Sequence, residues 1–303
     1  MQLVTTIWPI FALIGLGYLL RRASVPERGF WPAAERINYV LLFPALLVVN
    51  LANAPLDDPS ILRMGGAAVV TICLAAAALV LLRRARPAPA SRFGPVLQGV
   101  VRFNTYLGLA VTASLLGAEG TRRAAVLLAV AVPVVNVLSV LALTEAQPRG
   151  GIGRLLRLIV TNPLILACVL GIFIALAGAG LPFGIGRILE LLAQASLPLG
   201  LLCVGAALRL RALGRETPAL IGISALRLLA MPALALGVSL SFGLDAPATL
   251  VLVIFAAIPT APTAYVLTRQ MNGDGSLMAG LVTAQTVAAV VTLPVVLAAV
   301  RQL

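Results

Sequence analysis

Histidine is absent from this chain, all 22 basic residues are arginine, and aspartate and glutamate together number only 10 in 303 residues. Three cysteines, Cys73, Cys168 and Cys203, each sit inside an apolar run with no paired spacing, so neither a disulfide framework nor a zinc site is indicated and all three read as small core residues. The acids Glu27, Glu35, Asp57, Asp58, Glu119, Glu145, Glu190, Glu216, Asp245 and Asp274 fall in loops or at the ends of apolar runs. Proton relays and many cation sites use intramembrane Asp, Glu or His. Proton coupling here would therefore run through a substrate's own protonation or an acid near an interface, and a sodium site would need carbonyls and hydroxyls. P-loop, Rossmann, HExxH and GxSxG patterns are also missing, as are a paired acid, a nucleophile and a metal cluster. ATP-driven transport, cofactor use and enzymatic chemistry have no footing.

What the chain does have is apolar surface. It is 61% hydrophobic and 11% charged, with a mean hydropathy of +1.07, whereas an ordinary soluble domain carries about 25% charged residues. This is the composition of an all-α polytopic membrane protein. The net charge of +12 lies in short loops between apolar runs, not on one polar surface, which argues against a nucleic-acid partner and for the lipid bilayer. Met1-Gln2-Leu3 precedes the first apolar run and Arg21-Arg22 follows it, the reverse of a secretory signal, so that run is expected to remain as the first membrane helix.

At about 20 residues per crossing, ten segments are expected, near 4–20, 35–53, 63–82, 94–117, 122–143, 158–178, 185–208, 217–241, 247–268 and 276–300. Alternate loops test that count. Arg21, Arg22, Arg28, Arg36, Arg83, Arg84, Arg86, Arg92, Arg149, Arg154, Arg157, Arg209, Arg211, Arg215 and Arg269 fall on one side, and Arg63, Arg122, Arg123, Arg187 and Arg301 on the other. The positive-inside rule then places both termini outside the cytoplasm of a cell (inner) membrane.

Sliding the chain by 154 residues matches Pro9 with Pro163, Gly17 with Gly171 and Pro44 with Pro198; a slide of 155 lays FNTYLG, 103–108, over IPTAPT, 258–263. Five crossings per half is an odd number, so the halves would be inverted: a first five-helix repeat over 1–145, a cytoplasmic linker over 146–157 and a second repeat over 158–303. Within them, VIFAAIPTAPTAY, 253–265, is an apolar run that Pro259 and Pro262 should break, because each proline removes a donor and clashes with the preceding turn. Backbone freed at membrane depth needs protein or a water-filled cavity. Its partner, 99–110, holds Arg102, Asn104, Thr105, Tyr106 and Gly108. Together with Pro259, Thr260, Pro262, Thr263 and Tyr265 these are the candidate binding residues, each also open to an ordinary packing role. Arg102 and Arg227 stand inside apolar segments, where a guanidinium favours a carboxylate ligand or binds backbone carbonyls. Asn136 and Gln285 are buried amides that either line a site or bridge helices.

Several of these stretches in order resemble the auxin efflux carrier family, which includes the plant PIN carriers and shorter bacterial carriers of malonate and related acids: PIFALIGLGYLLRR, ERINYVLLFPALL, FNTYLG, ALRLLAMPALAL and IPTAPTAYVLTRQMNGDGSLMAGLVTAQTVAAVVTLPVV. The resemblance implies two inverted five-helix repeats, a scaffold of helices 1, 2, 6 and 7, a transport domain of helices 3–5 and 8–10, and interrupted helices 4 and 9 crossing at the substrate. It also implies an elevator-type carrier working as a homodimer. Asn104 falls on the asparagine of the plant helix-four motif, and Pro259 and Pro262 on the paired helix-nine prolines. Phe103 stands where the plant motif has proline, and the long plant central loop is missing.

The expectation is a secondary active or facilitative transporter of a small organic anion, a carboxylate. The alternatives are a sodium-coupled organic anion symporter of the bile-acid type, told apart by its need for a sodium gradient, and a ligand sensor that binds without flux.

Overall fold

The structure is a computed structural model, and it describes residues 2–27, 29–54, 58–144, 153, 160–178, 180–181, 184–214 and 216–300. The expected linker at 146–157, apart from position 153, lies outside the described residues, as do Asp57, Glu145, Arg28, Arg149, Arg154, Arg157, Arg215 and Arg301. The described residues are helical with connecting loops and contain no strand.

Among the described residues eleven longer helices follow in order, besides a short 3-10 turn at Leu210–Ala212. These are α1 (Gln2–Arg22), α2 (Phe30–Ala52), α3 (Pro59–Ala85), α4 (Ala90–Val101), α5 (Thr105–Thr144), α6 (Pro163–Ala177), α7 (Ile185–Ala207), α8 (Thr217–Ser241), α9 (Ala246–Ala257), α10 (Thr263–Gln270) and α11 (Gly275–Val300). Six stretches are long and apolar enough to cross a membrane: Phe30–Ala52, Pro59–Ala85, Ala90–Thr144, Ile185–Ala207, Thr217–Ser241 and Gly275–Val300. Pro163–Ala177 and Ala246–Ala257 are apolar but shorter. α5 bends at Gly117, whose φ of 62° and ψ of −148° suit a residue without a Cβ.

The helix starts explain themselves. Asp58, Asn162 and Asp245 each accept from a backbone N–H of the turn they open, at 2.8–2.9 Å, satisfying donors that a first turn leaves orphaned. At one end of the bundle Arg123 joins two of these starts: it pairs with Asp245 at 3.1 Å, with Glu119 at 3.0 Å, and donates to Ser60 Oγ at 3.5 Å.

Glycine sets the tightest helix pairings. A Cβ at Gly17 in α1 would run into the Leu202 carbonyl of α7, and one at Gly205 in α7 into the Ile14 carbonyl of α1. α2 and α6 meet the same way, Gly171 lying where a Cβ would stand 2.7 Å from Leu51 Cβ and 3.3 Å from Val48 Cα. α2 is also tied to α7 by Asn38, whose Nδ2 donates to the Ser196 carbonyl at 3.0 Å while Ser196 Oγ donates back to Asn38 Oδ1 at 2.9 Å. Of the cysteines, Cys168 and Cys203 are buried as expected, but Cys73 lies on the outward face of α3; an apolar run facing lipid does not distinguish its inner from its outer side.

Candidate functional site

The two stretches singled out in the sequence are both broken, and they cross. α4 ends at Val101, and Arg102 leaves the helix with ψ of 155°; α9 ends at Ala257, and Ile258 leaves with the same ψ of 155°. The breaks touch directly, since the Asn104 N–H donates to the Pro259 carbonyl at 2.9 Å. Phe103 does not close the break, because Asn104 starts the next helix itself: its Oδ1 accepts from the Leu107 N–H at 3.2 Å. Gly108 lets the two broken segments approach, as a Cβ there would lie 2.6 Å from the Phe255 ring and 2.9 Å from Ile258 Cδ1.

The carbonyl ends of α4 and α9 are bound by side chains. Arg227, 1% exposed, sits in a π-helical turn of α8, Leu226–Ala230, and donates to the Phe255 carbonyl at 2.6 Å, the Ile258 carbonyl at 2.7 Å and the Val100 carbonyl at 2.9 Å. Gln285 of α11 accepts from the Thr260 N–H and donates to the Gly99 carbonyl, both at 2.9 Å. Thr260 Oγ1 donates to the Gln98 carbonyl at 3.0 Å, and Gln98 Nε2 to Thr268 Oγ1 at 3.0 Å. Gln98 has no role in the sequence reading; the available signal is a lone amide within the apolar run 93–101.

The opposite, N–H ends face a cavity. Arg102, Phe103, Asn104, Thr105 and Tyr106 line it from the first break and Ala261, Pro262 and Thr263 from the second, with Glu35 and Tyr39 of α2, Asn136 of α5 and Cys203 of α7 closing it. Its volume is about 70 Å³. Glu35, Tyr39, Arg102, Asn136 and Thr263 also line a wider chamber of about 430 Å³ that reaches Arg36, Asn162 and Gln270. Two donors in the inner cavity have no hydrogen-bond partner: Asn104 Nδ2, on a residue 1% exposed, and Arg102 Nη1. A buried donor without a partner is costly.

The candidates therefore divide. Arg102, Asn104, Thr105, Tyr106, Pro262, Thr263 and Asn136 are brought together around the cavity. Arg227, Gln285, Thr260, Pro259 and Gly108 lie behind it and build the crossing. Tyr265 faces a third chamber, where its hydroxyl accepts from Arg209 Nη1 at 2.9 Å. Glu35 and Tyr39 are not among the candidates read from sequence, and the reading that every acid lies in a loop or at a segment end is corrected at three positions: α2 begins at Phe30, ahead of the apolar run, which places Glu35 inside the helix, and Glu119 and Glu190 lie within α5 and α7. For Glu35 and Tyr39 the signal was there as an i, i+4 polar pair on one helical face.

Residues 152–297 match the family model described as "Membrane transport protein". Over 293 residues, covering 95% of each chain, the sequence is 28% identical to an "Uncharacterized transporter" of Methanothermobacter thermautotrophicus. These matches bear out the resemblance to the auxin efflux carriers, a family of membrane transporters, and the helices described above fit an integral membrane protein.

Proposed function

We propose that this protein is a secondary transporter of a small organic anion, a carboxylate, held where the broken stretches 101–105 and 257–263 cross. The observation that carries this reading is the pair of orphaned donors, Arg102 Nη1 and Asn104 Nδ2, in one small cavity. A carboxylate offers two acceptor oxygens to such a pair through charge-assisted hydrogen bonds. The crossing is also sorted by polarity. Its helix C-termini, which carry partial negative charge, meet Arg227, while the N-terminal residues of α5 and α10, Thr105 and Thr263, face the cavity, where partial positive charge favours an anion.

Ten crossings in two inverted repeats, both termini outside the cytoplasm, and an elevator-type homodimer in the inner membrane complete the proposal. Glycine contacts in corresponding places support the repeat: Gly17 meets Leu202 and Gly171 meets Val48, and a shift of 154 residues carries one pair onto the other. So does Arg227, whose two terminal nitrogens bind Val100 and Phe255, positions 155 residues apart.

A panel of monocarboxylates, dicarboxylates and aromatic acids, scored by thermal stabilisation of the purified protein and then by flux into liposomes, tests the reading. With the best acid, Asn104→Ala is expected to weaken binding about tenfold and Arg102→Gln by roughly 10- to 100-fold, as hydrogen bonds to charged groups are worth about 1.5–3 kcal/mol. Unchanged affinity and flux in correctly inserted Asn104→Ala and Arg102→Gln proteins would show the site to be elsewhere.

A further inference from the structure

Among the described residues Glu35 is the sole acid lining any of three neighbouring chambers, and it lines all three: the inner cavity with Arg102 and Asn104, the 430 Å³ chamber reaching Arg36 and Gln270, and a chamber of about 280 Å³ bounded by Arg21, Arg209 and Tyr265. It is half-buried, four residues before Tyr39 on the same face of α2, and among the described residues no arginine forms an ion pair with it. The site thus has two fixed features of opposite sign: a guanidinium and amide with unsatisfied donors, and one carboxyl at the junction with the wider spaces.

An anion entering that cavity brings a second negative charge close to Glu35 in a setting of low dielectric, where two like charges cannot both persist cheaply. Relief comes by proton uptake. A neutral Glu35 carboxyl removes the repulsion, and it turns an acceptor into a donor that can hydrogen-bond to the incoming oxygens.

We propose that Glu35 couples proton uptake to anion binding, one proton being taken up at its carboxyl for each anion bound at Arg102 and Asn104. The inference rests on the anion reading of the cavity. The balance is simple: the anion enters, the Glu35 carboxylate gains H⁺ from solvent through the wider chambers, and no other bond changes. The other ionisable groups facing Glu35 are Tyr39 on its own helix, Arg102 at the break, Tyr106 of α5 and Cys203 of α7, with Arg21, Arg36, Arg209 and Tyr265 in the wider chambers. Arginine stays protonated at every working pH, and phenol and thiol ordinarily lose protons only in the alkaline range, which leaves the carboxyl as the group able to respond in acid.

Binding and protonation are linked reciprocally, so affinity should fall by up to tenfold per pH unit as the compartment facing the cavity becomes more alkaline through the titration of Glu35. A substrate's own protonation produces a similar trend, and a permanently charged probe removes that ambiguity. The experiment measures the dissociation constant of the best-binding carboxylate and of its sulfonate analogue between pH 5 and pH 8.5, on purified wild-type protein, Glu35→Gln and Glu35→Asp. Calorimetry in two buffers of different ionisation enthalpy counts the protons. The wild type is expected to bind the sulfonate more weakly as pH rises, with net proton uptake. Glu35→Gln should bind with a flat profile and no proton uptake, and Glu35→Asp should restore the slope.

A flat wild-type profile with the sulfonate, or a slope that survives in Glu35→Gln, overturns the role of Glu35 while leaving the anion site standing. Failure of wild type and variants alike to bind any acid or sulfonate at any pH overturns the anion site and this inference with it. If Glu35→Gln does not fold, the wild-type sulfonate profile and its proton count still decide the matter, because no other facing group gives a proton uptake confined to acid.

Discussion

Arg227 places a full positive charge among apolar helices and, among the described residues, pairs with no carboxylate. Three carbonyl oxygens stand in for one, at 2.6, 2.7 and 2.9 Å. They come from the ends of two helices, each equivalent to roughly half a negative charge, so two ends match one guanidinium. Only a forked, planar donor reaches all three; lysine is a single point of charge on a flexible stem. Arg227→Lys is therefore expected to lose about 3 kcal/mol or more, from carbonyls left without donors, read as a lowered midpoint of thermal unfolding in detergent. Arg102→Gln should leave that midpoint nearly unchanged, because Arg102 Nη1 has no hydrogen-bond partner in the protein. The two arginines look alike in sequence, each alone in an apolar run. What separates them is which carbonyls lie opposite, and that depends on residues 28 to 127 positions away. Glu35 was hidden for a different reason: hydropathy marks where lipid contact starts, and the helix starts earlier.

The breaks were legible as elements. Pro259 and Pro262 declare one of them by chemistry that needs no neighbours. The other is carried by Asn104, which caps the next helix, and by the 155-residue correspondence; its depth was not legible, since Phe103 has no intrinsic objection to a helix. Packing decides it, with Phe103 edge-on to Phe255 at 5.5 Å between ring centres and Gly108 making room for the same ring. Gly108→Val is thus expected to push the two breaks apart. The cost belongs to overpacking, about 1–3 kcal/mol, and because Asn104 lies one turn away, anion affinity should fall together with the unfolding midpoint. An unaltered affinity in Gly108→Val would mean that the crossing does not set the position of Asn104.

At the scale of the whole molecule, the apolar stretches were readable directly, because lipid imposes a simple rule on composition, and the same rule turns the alternation of the arginines into a topology to be tested. The proposed topology puts Arg86 in the cytoplasm and Arg187 outside. Arg187→Cys should react with a membrane-impermeant thiol reagent in intact cells, and Arg86→Cys only after the membrane is opened; the reverse pattern would invert the molecule. Pairing between helices was less readable, as glycine is common in membrane helices and does not announce its partner. The contacts of Gly17 and Gly205 show what that concealed. Where α1 and α7 meet, backbone lies on backbone, with no layer of side chains between them to shear or repack. Such a joint is about as stiff as the helices themselves, so in the elevator mechanism proposed above it would serve as a fixed frame of reference: something for the crossing to be displaced against, and not a part of what is displaced.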